Sequence, residues 1–457
     1  MPGAQGRQFA LRRVKERETA LRSERDLRIA AMPAAPARPL APDVKLREVW
    51  AWSMYDFANS AYTTVVITAV FGAYFVSAVT GNKPWGTFAW TAALSVSNAL
   101  VLAAGPVIGA WADAHAAKKR LLFLTTVGCV LATAGLALAS PGAVALALAF
   151  VILSNVFFGL GENLIAAFLP ELADSRAMGR VSGWGWSFGY LGGLAALGIC
   201  LVYITARQKS GTPASEFVPV TMLITAAFFA LASIPTFAML KERALPQAVE
   251  NPWQRLARTW REASRYADLR RFLFCLLFYQ AGIMTVIALA AIYAEQAMKF
   301  TTQQTIFLIL VVNITAAVGA FGFGYLQDAI GHVRAVAVTL MGWIVMILVA
   351  FFSESRETFW IAANLAGLCM GSSQAAGRAI VGYLAPPARL AEFFGLWGLS
   401  MKTAAIFGPL TYGSVTWIFA GNHRLGIFAT GIYFVIGLAL LWRIDMERGR
   451  AAALATA

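Results

Sequence analysis

Twelve apolar runs follow one another between residues 48 and 443, and each is long enough to cross about 30 Å of hydrocarbon. They fall near 49–78, 87–113, 121–140, 143–170, 181–205, 218–240, 272–297, 303–328, 335–352, 358–384, 393–419 and 425–443. In lipid every backbone polar group must be satisfied within the segment or by a closed barrel, so runs of this length form helices. The composition agrees: 59% of the 457 residues are hydrophobic and 13% are charged, where a soluble chain carries about a quarter. Mean hydropathy is +0.65. The expected fold class is an all-α membrane protein with twelve transmembrane helices in two pseudo-symmetric six-helix bundles.

The polar interruptions set the organisation. The longest, 241–271, divides the spans into six and six, and its NPWQRLARTWREASRYADLRR stretch is basic and amphipathic, suited to a membrane surface. The expected units are a charged, Pro-rich extension (1–47), a first bundle (48–240), the linker (241–271), a second bundle (272–445) and a tail (446–457). Residues 1–47 hold no apolar stretch followed by a cleavage site, so no signal peptide is expected. A short charged helix up to about Arg28 and a Pro/Ala-rich tether are expected instead.

The net charge is +14, from 37 Lys+Arg against 23 Asp+Glu. In a membrane chain such an excess belongs to cytoplasmic loops and does not imply nucleic acid. With the N-terminus inside, the outer segments carry Lys83, Arg207, Lys209, Lys299, Arg356 and Arg424. Arg378 and Lys402 lie within the membrane, and the other 29 of the 37 basic residues fall inside. Both termini are therefore expected to be cytoplasmic. The four cysteines stand singly in apolar runs, and the three histidines make no ligand cluster. Neither a phosphate loop nor a sequence-adjacent nucleophile–base pair is present. Metal, cofactor and enzymatic activity are not expected.

The two halves repeat. GPVIGAWADAHAAKKR (105–120) follows the second span and GFGYLQDAIGHVR (322–334) follows the eighth. Both read Gly-x-x-x-Asp before a basic turn: Gly109 and Asp113 with Lys118 and Lys119, then Gly324 and Asp328 with Arg334. Such repetition marks carriers built from two related halves. In the functional reading Gly109 admits a neighbouring helix, Asp113 meets the positive end of another, and the basic residues sit at the headgroups. That makes a latch; the alternative is an ordinary charged turn.

At this element the chain resembles the major facilitator superfamily. Further stretches, YDFANSAY (55–62), ENLIAAFLPELA (162–173), RVSGWGWSFGYLGG (180–193), FYQAGIMTVIALAAIYA (278–294) and SSQAAGRAIVGYLAPPARLAEFFGLW (372–397), resemble its vacuole-effluxer-like branch. That branch includes autophagy-related vacuolar amino-acid effluxers and bacterial relatives. The resemblance covers nearly all of 48–443. It implies a monomeric twelve-helix alternating-access carrier, amino-acid export, and, for a bacterial member, the inner membrane. Relatives usually have an acid before the glycine of the seventh helix; here that position is Ala281, preceded by Gln280.

Polar residues inside the spans are the candidate site. A carboxylate in a spanning helix costs roughly 2.5–3.5 kcal/mol and is normally turned to a partner or a wet cavity. WAWSMYDFANSAY (50–62) opens the first span with Tyr55, Asp56 and Asn59. Asp56 and Asn59 share a helical face, which Thr63 continues. The fourth span brings Asn155, Glu162 and Asn163, the seventh Tyr279 and Gln280, the tenth Gln374 and Arg378, and the eleventh Lys402. At about 1.5 Å per residue these occupy one broad layer. The acids come from the first half and the bases from the second. Either a zwitterion lies between them, its carboxylate on Arg378 or Lys402, or the charges pair as an inner gate. Asp56 and Glu162 are also the candidate proton carriers. A secondary transporter of a small amino acid or organic ion leads; a non-transporting receptor or scaffold with the same fold is the alternative.

Overall fold

The computed structural model describes residues 40–41, 43–173, 178–244, 246, 251–386 and 390–455. The side chains of Asp328 and Arg378 and the surroundings of Gly324 lie outside the described part, although their helices are within it. The helix expected before Arg28 also lies outside it.

Twelve long helices cross the molecule back and forth: α1 Leu46–Val79, α2 Trp85–His115, α3 Lys118–Leu138, α4 Val144–Leu172, α5 Met178–Lys209, α6 Ala214–Met239, α7 Ala267–Gln296, α8 Thr302–Ile330, α9 His332–Phe352, α10 Arg356–Leu384, α11 Leu390–Ile418 and α12 His423–Leu441. Among the described residues, ten of these are long and apolar enough to span a membrane. A linker helix, Pro252–Ala263, and a tail helix, Met446–Leu454, lie at one end, here the linker end; the opposite is the far end. Asn251 caps the linker helix, its side chain accepting from the Trp253 and Gln254 amides.

The helices start and stop within a few residues of expectation, with two informative differences. α7 begins at Ala267, taking residues expected in the linker, with Asp268 in its first turn where an acid suits the helix dipole. α1 becomes π-helical over Tyr62–Ala69 and again over Phe75–Val79. The six β-branched residues Thr63–Thr68 crowd a regular α-turn. The face shared by Asp56 and Asn59 is therefore not carried to Thr63 at α spacing. Pro106 and Pro409 interrupt the amide ladders of α2 and α11. α4 breaks at Ala167, and Pro170 opens its last short turn.

α1 and α7 are the central helices. Two thirds of their apolar window (67%) is buried, against 28% for α2, whose Val96, Leu100 and Val107 face outward. The halves are built alike. α5 packs on α1 and α11 on α7 so closely that a Cβ on Gly192 would collide with the Phe57 carbonyl, and one on Gly408 with that of Ala281. The connections after α2 and α8 both use a left-handed residue, Ala116 and Gly331.

Candidate transport site

The two halves meet through α2 against α11, α5 against α8, and the π-helical part of α1 against α7. Side-chain links between halves gather toward the far end. Gln296 Nε2 donates to Asn82 Oδ1 at 2.8 Å, Phe88 stacks on Trp417 at 4.7 Å, and Ser95 Oγ donates to the Ile406 carbonyl at 2.7 Å.

Nearer the linker end, Lys402 Nζ of α11 donates to Glu162 Oε2 of α4 at 3.1 Å. The side chains are 24% and 42% exposed, so this pair is not sealed within the packing although both residues belong to apolar helices. Glu162 stands beside Gly161, where a Cβ would come within 2.5 Å of Tyr55 Oη. Tyr55 Oη is bonded to Thr126 Oγ1 at 3.1 Å. Asp56 points at α5, its Oδ2 2.6 Å from where a Cβ on Gly185 would stand.

The repeat is visible here too. Tyr279 lies against Gly377 of α10 as Tyr55 lies against Gly161 of α4, with 2.6 Å between its Oη and the Cβ position. Each glycine precedes a charged residue of opposite sign, Glu162 and Arg378. Tyr279 Oη, unlike Tyr55 Oη, has no partner among the described residues. Packing positions are thus kept between the halves while polar ones diverge: Asp56 is answered by Gln280 and Trp186 by Lys402.

Of the candidate residues, Glu162 and Lys402 meet, with Tyr55 beside them. Asn155 is turned away, its Nδ2 donating to Ser97 Oγ of α2 at 2.6 Å. Asn59 is buried in the α1 packing and Asn163 is exposed beside Gly105. Tyr279 and Gln280 are enclosed within the second half. Gln374 is half-buried, and the Arg378 side chain is not described.

The turn after α2 differs from expectation in its details. No described atom lies within 4 Å of a Cβ placed on Gly109, so close helix approach is not the reason for that glycine here. Asp113 reaches Lys118 Nζ at 3.4 Å. The first amides of α3 are taken by another acid: Lys118 and Lys119 N–H donate to Glu242 at 2.7 and 3.1 Å. Lys118 Nζ also donates to Glu171 at 3.3 Å, and Lys119 Nζ to the Leu240 carbonyl at 2.6 Å. Glu171 in turn accepts from the Arg243 amide at 2.7 Å. Glu171, Glu242 and Arg243 are not among the residues singled out from the sequence; Glu242, set between Lys241 and Arg243 just past an apolar run, was the available signal. Arg334, Gly324 and Asp328 sit at the corresponding turn between α8 and α9, with Arg334 exposed.

Two similarly built sets of six long helices, joined by a charged pair between them, are the arrangement of an integral-membrane transporter of the major facilitator type. The chain belongs to the vacuole effluxer Atg22-like family, whose sequence profile matches residues 87–454. It is 29% identical over 407 residues to the uncharacterized MFS-type transporter YxiO of Bacillus subtilis, covering 87% of this chain and 94% of that one. Autophagy-related protein 22-1 of Aspergillus fumigatus is 23% identical over 336 residues, 65% of this chain. The match spans 54% of that relative's length, about half. The fold is shared with a bacterial homolog of the human lysosomal transporter Spinster, solved inward-facing (TM-score 0.65, 14% identity, 90% and 97% of the chains covered). It is shared also with the nucleoside transporter NupG (TM-score 0.63, 12% identity, 89% and 99% covered).

Proposed function

We propose that the protein exports a small zwitterion, an amino acid first among candidates, from a bacterial cell by alternating access. It works as a monomer in the inner membrane with both termini cytoplasmic. The observation that carries this reading is the partly exposed Glu162–Lys402 pair, an acid from one half against a base from the other. A solute with one ammonium and one carboxylate replaces both partners at once: its ammonium takes Glu162, and its carboxylate takes Lys402, with Arg378 as a second base. Replacing both partners avoids the cost of leaving either charge unpaired. The far-end contacts close the outer side, so the site loads from the linker end, where the basic loops lie. The names of the fungal relatives and the effluxer family support export. Protons are the proposed driving ion, with Asp56 and Glu162 as carriers.

The test is flux in proteoliposomes. A thermal-shift screen of amino acids and organic ions against the purified protein picks the solute, since bound ligand raises stability with occupancy. Flux of that solute is expected to fall at least tenfold in Glu162→Gln and in Lys402→Gln, and to follow an imposed pH gradient. Full flux in both variants would overturn the site. Unchanged gradient dependence in Asp56→Asn and Glu162→Gln would remove the proton role. Flux of a monovalent ion lacking the second charge, at an equal rate, would overturn the zwitterion.

A further inference from the structure

The linker helix is not used by the transport mechanism, and its faces differ. Thr259 and Ala263 are buried where it packs beneath α2, α7 and α11. Trp253 and Trp260, seven residues apart and so on one side, are 48% and 41% exposed. Arg258 and Arg261, three apart, are exposed on another side, and Arg265 is exposed in the turn just past the helix end. Trp260 meets Phe274 of α7 edge to face at 5.9 Å. Phe274 is itself 42% exposed on a spanning helix, near its linker end. Trp50, Trp111 and Trp442 are exposed at the same end, as an aromatic belt requires. Residues 251–271 hold six arginines against two acids, Glu262 and Asp268.

We propose that the linker helix is a binding surface for anionic phospholipid headgroups. Trp253 and Trp260 enter the headgroup layer, and Arg258, Arg261 and Arg265 hold lipid phosphates. A tryptophan strip beside a lipid-facing phenylalanine fixes the depth, and the excess of arginine selects the negative headgroup over a zwitterionic one. The site is independent of the transported solute.

The test uses the full chain in nanodiscs of phosphatidylcholine with phosphatidylglycerol, reading the spin-labelled lipid held by the protein. Wild type is expected to prefer phosphatidylglycerol at low salt, each arginine contributing about fivefold, and to lose the preference at high salt. Arg261→Gln/Arg265→Gln should lose most of it while keeping the wild-type unfolding temperature in phosphatidylcholine alone. Trp253→Ala/Trp260→Ala should weaken retention of both lipids while leaving their ratio unchanged. An undiminished preference in the arginine variant overturns the proposal. So does displacement of the lipid by inorganic phosphate at equal concentration, which would mark a site for a free anion.

Discussion

Arg243, just beyond α6, grips Glu48 in the first turn of α1, its Nη2 standing 3.0 and 2.8 Å from the two carboxylate oxygens. Arg448, beyond α12, grips Asp268 in the first turn of α7, Nε and Nη2 donating at 2.7 and 2.6 Å. The carboxylates are 4% and 3% exposed. Each half is therefore closed by a charged bond from its first helix to the segment that follows its last.

Removing the base leaves a buried carboxylate with less compensation. Arg243→Gln is expected to lower stability by about 2 kcal/mol, read as a drop in unfolding temperature in detergent. Adding Glu48→Gln should recover part of that loss. Arg448→Gln, whose arm is more exposed, should act in the same direction with a smaller drop.

Tyr55 and Tyr279 give opposite answers to one substitution. Tyr55→Phe loses the bond to Thr126 and should cost about 1 kcal/mol. Tyr279→Phe removes a buried hydroxyl that has no partner among the described residues, and should be neutral or stabilising. Thermal unfolding of the two variants side by side checks this; an equal loss in both would contradict the repeat-with-divergence reading.

The glycines separate by space. Gly192→Ala and Gly408→Ala place a methyl into a backbone carbonyl of the neighbouring helix and should abolish folded protein in size-exclusion chromatography. Gly109→Ala and Gly198→Ala meet open space and should be recovered at wild-type yield.

The far-end contact offers a lock. Asn82→Cys/Gln296→Cys joined by a short bis-maleimide is expected to stop flux, while either single variant treated alike retains it. The four native cysteines are buried and free, so background labelling should be low. Flux that survives complete cross-linking would show that the far end need not open.

How much could be read in advance varies by residue. The spans, their order and the repeated Gly-x-x-x-Asp turn were legible because hydrophobic length and period are local properties. The pairing of Glu162 with Lys402 was one of two readings left open, and geometry brings these two together. The π-helical course of α1 was not read from its β-branched run. Glu242 and Arg243 were missed because their partners, Lys118 and Glu48, are more than a hundred residues away.

By itself the sequence determined a duplicated chain of membrane helices with opposite charges in its two halves, since lipid leaves a long apolar run no other way to satisfy its backbone. Only the tertiary structure decided which charges touch, which tyrosine finds a hydroxyl, and which glycine is a contact. Those depend on how helices distant in sequence are rotated against one another, and no local pattern encodes that rotation.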